Sequence, residues 1–248
     1  MNVIKKTRSI CPECLKVIDA TLYEDNGQVL MRKACRDHGV FEEVYWSSFA
    51  EYTRAQKYAV VGAGIDNPMT TTVRGHPYDC GLCPHHKSHT SLAIIDVTNR
   101  CNLRCPICFA NAAVSGYVYE PTVDEIRRML RTLRGIQPVP ATALQFSGGE
   151  PTVREDLPDL VRMAKDLGFD HVEVNSNGIK LAESVDYCRE LLDAGVSTFY
   201  LQFDGVTPEP YLATRGRDLL DTKKKVIENC REAGLDSIVL VPTVVRGV

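Results

Sequence analysis

The sequence predicts an α/β fold, with a parallel sheet or barrel from about residue 91 onward and a small metal-binding β-ribbon domain before it. Short apolar strands alternate with amphipathic helices after residue 91, which is typical of a parallel sheet. Near the N-terminus, two pairs of metal-ligand residues flank a predicted hairpin. Three cysteines with the spacing C-x3-C-x2-C follow the first apolar strand of the α/β part. We expect three parts: a zinc-ribbon or rubredoxin-like module at 1–50, a linker at 51–90 and the α/β core at 91–248.

The N-terminal module combines a hairpin with two short metal-binding turns. Cys11 and Cys14 form the first turn, and Cys35 and His38 form the second. Between them, a segment of period two reaches Asn26-Gly27, the pair that a type I′ hairpin turn prefers. We predict a return strand at 28–33 and a third strand at 41–46. The four side chains are expected to bind one tetrahedral Zn or Fe ion, which would supply much of the folding free energy of so short a segment.

A further cysteine pair leaves the assignment of the metal ligands open. Cys80 and Cys83 could join Cys11 and Cys14 in a rubredoxin-like iron site, or they could supply two thiolates to an auxiliary iron–sulfur cluster. We favour the set of Cys11, Cys14, Cys35 and His38 for the first site. The nearby histidines are interpreted as surface residues of a loop; they are His85, His86 and His89.

The predicted core elements follow one another regularly. After a strand at 91–97, Thr122 and Glu125 form a capping box that opens a helix ending at Gly135. A strand at 143–146 precedes a second helix at 157–167, which ends at Gly168. Further strands are predicted at 171–175, 198–203 and 237–244, with helices near 181–194 and 218–233. With five strands and four intervening helices, we expect an unclosed barrel with an apolar edge strand.

The cysteine triplet of the core predicts an iron–sulfur centre. Cys101, Cys105 and Cys108 can bind three irons of a cubane cluster, which normally takes four cysteines. The fourth iron then has no protein ligand and can bind another molecule. Downstream, the strand at 143–146 leads into Ser147-Gly148-Gly149-Glu150-Pro151.

The triplet and the Gly-Gly-Glu-Pro segment together resemble the radical S-adenosylmethionine (SAM) superfamily, over about residues 91–248. The resemblance implies a partial (βα)6 barrel, truncated here after its fifth strand. It implies that the three cysteines bind a [4Fe-4S] cluster and that SAM chelates the open iron. Gly148 and Gly149 would let the backbone approach the methionine moiety, and Glu150 would accept a hydrogen bond from its amino group. Ile107 replaces the aromatic residue frequent in the family, and we expect Phe109 to cover the cluster or the adenine instead.

The same resemblance implies further SAM-binding residues at the carboxyl ends of the later strands. Asn177 would lie near the ribose, and Asp204 ends the fourth strand in the manner of the family's Asp-Gly segment. Gln202, Thr243 and Arg215 are weaker candidates, the last as a partner for a carboxylate. Turn chemistry alone would also favour Asn, Asp and Gly at these positions.

The order of the modules resembles the tetraether lipid synthase group, whose relatives include pterin-modifying methyltransferases. This resemblance implies hydrogen abstraction from an unactivated C–H bond and the joining of lipid tails. The alternatives are a radical SAM maturase or methyltransferase acting on a peptide or pterin and, without catalysis, a zinc-ribbon adaptor. We expect an oxygen-sensitive transferase with a ferredoxin- or flavodoxin-type reductant and a hydrophobic or small-molecule substrate.

Composition excludes several classes of protein. The chain is 44% hydrophobic and 25% charged with a formal net charge of -3, which argues against a nucleic-acid surface. It has no apolar run long enough to span a membrane and no signal-peptide core, so we expect a cytoplasmic protein with at most peripheral membrane contact. The grouped cysteines favour metal over disulfides, whereas Cys188 and Cys230 are predicted core residues. The single basic run, Lys223-Lys224-Lys225, is predicted to be a solvated helix face.

Overall fold

The computed structural model describes residues 2–75, 78–79, 81–112 and 116–247, and its contacts divide the chain into two units. The first unit, Met1–His89, contains a four-stranded antiparallel sheet in the order β1-β2-β3-β4. Its strands are β1 (Asn2–Ile10), β2 (Val17–Asp25), β3 (Gln28–Cys35) and β4 (Gly39–Trp46). One helix, α1 (Phe49–Gln56), follows the sheet.

The predicted hairpin is present between β2 and β3. Asn26 and Gly27 both have positive φ, 50° and 77°, as a type I′ turn requires. Leu22, Val29 and Tyr52 form a small buried cluster, which anchors α1 to the sheet. Strand β1 was not predicted because its residues are mostly exposed and show no alternation of apolar and polar side chains. The helix α1 lies at the start of the segment predicted as a linker, and its single buried residue gives it a weak apolar pattern.

The second unit, Thr90–Val248, confirms the predicted α/β class. Five parallel strands form a sheet in sequence order, β5-β6-β7-β8-β9. They are β5 (Ala93–Thr98), β6 (Ala143–Gly148), β7 (His171–Ser176), β8 (Thr198–Gln202) and β9 (Ile238–Val241). Because the strands are parallel and in order, their carboxyl ends lie along one edge of the sheet, where ligands of such folds bind.

The helices of this unit depart from the prediction at two places. They are α2 (Val123–Arg134), α3 (Leu157–Asp166), α4 (Ile179–Glu183), α5 (Val185–Ala194), α6 (Pro208–Arg215) and α7 (Leu220–Ala233). The single helix predicted near 181–194 is divided at Ser184, which has an extended backbone. Ser184 is the N-cap of α5, and its side chain accepts a hydrogen bond from Tyr187 N. Helix α6 was not predicted; it begins at Pro208, and proline is tolerated in the first turn of a helix. The capping box of Thr122 and Glu125 is confirmed.

The core lies between the sheet and its helices. Fully buried side chains from four strands, including Phe146, Val174 and Phe199, pack against apolar residues of the helices. Cys188 and Cys230 belong to this cluster and are completely buried, as predicted. The prediction for the basic run is wrong at one of its three residues: Lys223 is fully buried, because it faces the carboxyl ends of the strands rather than solvent. Among the described residues, none of the helices is long and apolar enough to cross a membrane.

Candidate functional site

The four ligand residues predicted in the ribbon lie together. One donor atom from each of Cys11, Cys14, Cys35 and His38 lies within 4.8 Å of the other three. The Cys14 and Cys35 sulfurs are 3.9 Å apart, and His38 Nδ1 is 3.7 Å from Cys11 Sγ and 3.5 Å from Cys35 Sγ. A tetrahedral zinc ion with Zn–S bonds of about 2.3 Å and Zn–N bonds of about 2.0 Å separates its ligand atoms by about 3.5–3.8 Å. The donor set and its spacing therefore fit a single tetrahedral ion.

Short turns at the ends of the strands bring these donors together. Leu15 has a φ of 59° after the first turn, and Cys11 N donates to Lys16 O at 2.9 Å. Lys16 and Asp37 join the two turns through an ion pair of 2.6 Å. The hydrogen bond with His38 lowers the pKa of the Cys35 thiol to about 6, so this sulfur is a thiolate at neutral pH. A thiolate is the form of cysteine that binds a metal.

The second cysteine pair does not join this group in the described residues. Cys80 lies outside the described residues, so its predicted role has no structural counterpart here. Cys83 is buried and lines a cavity of about 730 Å³ in the N-terminal unit, with Asp79 and His85. The Asp79 carboxylate accepts hydrogen bonds from three consecutive backbone N–H groups, those of residues 73–75. His86 contacts Ser88.

The three core cysteines lie in the loop that leaves β5 at its carboxyl end. Cys101, Cys105 and Cys108 are half-buried. Leu103, between them, packs into a small apolar cluster with Tyr211, Leu219 and Leu220, so α6 and α7 support the loop. Burial raises the pKa of the Cys101 thiol to about 11. A bound cation would have to displace that proton, as metal sites do when they bind thiols.

Gly148 and Gly149 allow the strand end to lie against this same loop. A Cβ on Gly148 would come within 2.2 Å of Thr98 O, and one on Gly149 within 2.2 Å of Arg100 O. Gly149 N donates to Thr98 O at 2.7 Å, and Glu150 N donates to Arg100 O at 2.9 Å. The space that a side chain would need is therefore filled by backbone, which is a reason for glycine that the sequence reasoning did not foresee.

Glu150 is a buried carboxylate that joins two strand ends. Its Oε1 accepts hydrogen bonds from Thr152 N at 3.2 Å, Thr152 Oγ1 at 2.6 Å and Ser176 Oγ at 2.8 Å. Its Oε2 accepts from Asn177 N at 2.7 Å. A carboxylate oxygen has two lone pairs, so Oε2 retains acceptor capacity for a further donor. Thr152 and Ser176 were not predicted; both are small hydroxyl residues whose role appears only in the fold.

Asn177 connects the end of β7 to the cysteine loop. Its Nδ2 donates to Oδ1 of Asn102, the residue directly after Cys101, at 2.7 Å. Its Oδ1 accepts a hydrogen bond from Ile179 N at 3.0 Å. Gly178 follows with a φ of 80°, which the Asn-Gly turn requires. The side chain predicted to lie near a ribose thus also fixes the loop of the three cysteines.

Asp204 is the centre of a second polar group at the end of β8. Arg215 binds its carboxylate through two nitrogens at 2.7 Å and 2.8 Å, and Thr243 N donates to it at 3.1 Å. Gln202 Nε2 also donates to Asp204. Burial by itself would raise the pKa of Asp204, but the bond and charge of Arg215 outweigh burial and hold that pKa below its usual value. The three weaker candidates of the sequence therefore all contact Asp204.

Lys223 is a further polar residue that sequence reasoning missed, besides Thr152 and Ser176. Its ammonium donates to Asn177 O and, at 3.3 Å, to Gln202 Oε1. Burial lowers its pKa to about 8, although the charges of Glu150 and Asp204 act in the opposite direction. A run of three lysines gives no signal that one of them faces inward. Helical spacing could have found it, since Leu220, Lys223 and Val226 share one face of α7 and are all buried.

Phe109, the aromatic residue expected to cover the cluster or the adenine, has an exposed side chain, and its covering role stays a prediction. The exposed fraction of Phe109 is 95%. Ile107, which precedes Cys108, is bound through its backbone: its N–H donates to Thr214 O and its carbonyl accepts from Arg215, both at 3.4 Å.

Comparison with known proteins identifies the family. Residues 95–248, more than half of the chain, match the profile of the radical SAM superfamily. The chain belongs to the radical SAM superfamily. Residues 3–47 match a second family, the HMPTM N-terminal zinc ribbon domain. Both parts of the predicted architecture are thereby confirmed.

Among curated relatives of this radical SAM chain, 7,8-dihydro-6-hydroxymethylpterin dimethyltransferase of Methanocaldococcus jannaschii is 55% identical over 244 residues. That match covers 98% of this chain and 48% of the relative. A probable GTP 3′,8-cyclase of Methanothermobacter marburgensis is 30% identical over 164 residues, covering 66% of this chain and 51% of that protein. The chain thus spans about half the length of the curated relatives it matches. The solved structure of Streptococcus suis SuiB bound to precursor peptide SuiA has the same core fold, with a TM-score of 0.53 at 18% identity over 65% of this chain and 35% of that one.

Membership of the radical SAM superfamily implies a [4Fe-4S] cluster and SAM, and the residues present fit both groups. Three half-buried thiols on one loop provide the donor set of a cluster with one open iron. The buried carboxylate of Glu150 and the polar groups around Asp204 lie at the carboxyl ends of the neighbouring strands. The zinc-ribbon match agrees with the four donors that the ribbon brings together.

Proposed function

We propose that the full-length protein is a radical SAM methyltransferase whose substrate is a reduced pterin. The observation that carries the proposal is the match to the pterin dimethyltransferase of Methanocaldococcus jannaschii, which runs through the ribbon and the core alike at 55% identity. The match of residues 3–47 to the HMPTM N-terminal zinc ribbon domain supports the same architecture. Within the protein we assign 1–50 to the metal module, 51–90 to the linker and 91–248 to the radical SAM core.

In this proposal Cys101, Cys105 and Cys108 bind the [4Fe-4S] cluster. When bound, the cluster and SAM supply one-electron cleavage of a carbon–sulfur bond and so a radical able to remove hydrogen from an unactivated C–H bond. The electron comes from a reductant protein of the ferredoxin or flavodoxin type. Cys11, Cys14, Cys35 and His38 bind the separate ion of the ribbon, and Cys80 and Cys83 stay candidates for an auxiliary site.

The chain's own residues bind and orient the cofactor. Glu150 Oε2, with its remaining lone pair, accepts a hydrogen bond from the amino group of SAM. Gly148 and Gly149 contribute backbone close to the methionine moiety. Asn177 and Asp204, which end β7 and β8, contribute polar groups along the rest of the molecule. The apolar residues under the cysteine loop exclude water from its inner side.

The joining of lipid tails is supported more weakly than methylation. It follows from the order of the motifs, whereas the relatives named above act, by their names, on a pterin or on GTP. A zinc-ribbon adaptor without catalysis accounts for residues 3–47 and leaves the radical SAM match of 95–248 without a role. Lipid coupling is therefore retained as an outcome of the experiment below.

The test is an anaerobic reaction of the purified full-length protein with dithionite, SAM carrying a deuterated methyl group, and 7,8-dihydro-6-hydroxymethylpterin. We expect pterin products heavier by one or two labelled methyl groups, each donated by a second SAM molecule that leaves as S-adenosylhomocysteine. The SAM that is cleaved should give 5′-deoxyadenosine and methionine, and all products are measured by mass spectrometry. Cys105→Ala should abolish both signals, and an exposed control, Lys224→Met, should keep them. Unlabelled pterin, together with coupled chains from archaeal-type lipids in a parallel reaction, would refute the pterin assignment in favour of lipid coupling.

A further inference from the structure

A single lysine of α7 is buried among the groups that surround the cysteine loop. Lys223 has no exposed surface, whereas the side chains of its neighbours Lys224 and Lys225 are 58% and 53% exposed. Lys224 pairs with Asp221, and Lys225 with Glu228, on the surface of the helix. A buried lysine costs free energy unless its charge is balanced and its donors are bonded. Lys223 donates hydrogen bonds to two groups of the candidate site, and the charges of Glu150 and Asp204 offset part of the cost of its burial.

One branch of its contacts reaches the start of the cysteine loop. Lys223 Nζ donates to Asn177 O, and the Asn177 side chain donates to Asn102 Oδ1 at 2.7 Å. Asn102 directly follows Cys101 in the chain. The position of the first cysteine is therefore linked to α7 by two successive hydrogen bonds through the end of β7.

The other branch reaches the end of the same loop. Lys223 Nζ donates to Gln202 Oε1 at 3.3 Å, and Gln202 Nε2 donates to Asp204. Arg215 pairs with Asp204 and donates from Nη1 to Ile107 O at 3.4 Å. Ile107 directly precedes Cys108. Both ends of the loop are thus connected to one ammonium group.

Lys223 and Arg215 equal Glu150 and Asp204 in number among the charged groups of this hydrogen-bond network. Glu150 and Asp204 are buried carboxylates, and Arg215 is a cation that Asp204 already binds. Lys223 is then the cation available to balance Glu150 among the described groups of this network, and it also interacts electrostatically with Cys105. Because thiolates and a reduced cluster add negative charge, a fixed cation nearby favours the reduced state.

We propose that Lys223 is a positioning residue of the radical SAM site, which holds the cysteine loop through Asn177 and Gln202 and stabilises the reduced cluster by its charge. The proposal deepens the proposed function and rests on the cluster assigned there to Cys101, Cys105 and Cys108. It predicts an effect of Lys223 on the electronic properties of the cluster, which a residue that only filled space would not have.

The experiment compares Lys223→Met, Lys223→Gln and Lys223→Arg in the full-length protein, with Lys224→Met as the matched control. After anaerobic reconstitution, potentiometric EPR gives the midpoint potential of the cluster, and a SAM titration of the EPR signal gives the affinity for SAM. We expect a lower potential in Lys223→Met and Lys223→Gln and an approximately ten-fold weaker response to SAM, the loss that one charge-assisted hydrogen bond produces. Lys223→Arg should restore most of both properties, and Lys224→Met should match the wild type.

Two results overturn different claims. If folded Lys223→Met or Lys223→Gln protein has the potential and SAM affinity of Lys224→Met, the role proposed for Lys223 is wrong while the proposed function stands. If the wild-type protein itself binds no iron–sulfur cluster, the proposed function is refuted. Should Lys223→Met fail to fold, Lys223→Gln decides, since glutamine keeps N–H donors and carries no charge.

Discussion

Replacement of Gly149 by alanine tests how closely the strand end lies against the cysteine loop. The new Cβ would be 2.2 Å from Arg100 O and 2.7 Å from Arg100 C. An ordinary carbon–oxygen contact needs about 3.3 Å, so the two segments must separate by about 1 Å. The φ of Gly149 is not in the left-handed region, so the substitution adds a steric clash without backbone strain.

The magnitude follows from two losses. Overpacking of this kind costs about 1–3 kcal/mol, and the hydrogen bond from Glu150 N to Arg100 O contributes about 1 kcal/mol more when it breaks. The sum of about 2–4 kcal/mol corresponds to a fall of about 4–16 °C in the Tm of a unit of 150–250 residues, the size of the radical SAM unit. Because Arg100 precedes Cys101, the displaced loop should also bind less iron.

Two measurements on the full-length protein check this expectation: thermal unfolding under argon, and iron content after reconstitution. Gly135→Ala is the matched control. Its φ is -82° and its Cβ would lie no nearer than 3.3 Å to any atom, so its Tm should stay within about 2 °C of the wild type. A Gly149→Ala protein with the Tm and iron content of Gly135→Ala would refute the reasoning.

Three further predictions follow from other parts of the structure. Cys35→Ser should remove the metal ion of the ribbon. The measured content of zinc or iron outside iron–sulfur clusters should then fall from about one ion per chain to none. If the variant keeps that ion, the four-donor site is excluded. Arg154→Met should lower the free energy of unfolding by about 2–4 kcal/mol, because two backbone carbonyls lose their hydrogen bonds to the buried guanidinium, whereas the partly exposed Asp156 stays hydrated. A loss below about 1 kcal/mol in urea titrations would contradict this. Since the pKa of Lys223 is about 8 when folded and 10.5 in its ordinary state, the unfolded chain binds more protons between these pH values. The full cost of burying the charged ammonium applies below pH 8 and falls as the pH rises. The free energy of unfolding of the wild type should therefore rise relative to that of Lys223→Met, by up to about 1.4 kcal/mol per pH unit. A difference between the two proteins that stays constant in urea unfolding from pH 7 to 10 would contradict this.

Local signals in the sequence were sufficient where a residue's role depends on its neighbours in the chain. The capping box at Thr122, the turn at Asn26-Gly27 and the two ligand pairs of the ribbon are of this kind, and the structure contains each of them. The buried parallel strands were also predicted, since their apolar runs are hard to mistake for solvated segments. Strand β1 was missed because both of its faces are largely exposed and alternation is therefore absent.

Roles that depend on residues distant in the chain could not be predicted. Lys223 contacts Asn177, 46 positions away, and its surroundings form only after three strands and two helices have packed. Glycine is likewise needed at position 149 because of the backbone of Arg100, which follows the adjacent strand β5.

The central claim is that three cysteines leave one iron of a cluster open for SAM. EPR spectroscopy of the reduced, anaerobically reconstituted full-length protein tests it most directly, combined with iron and sulfide counts. We expect a [4Fe-4S] signal that changes when SAM is added, with methionine released, and the loss of both responses in Cys105→Ala. An EPR signal of the cluster that does not change when SAM is added, or SAM cleavage that persists in Cys105→Ala, would contradict the account.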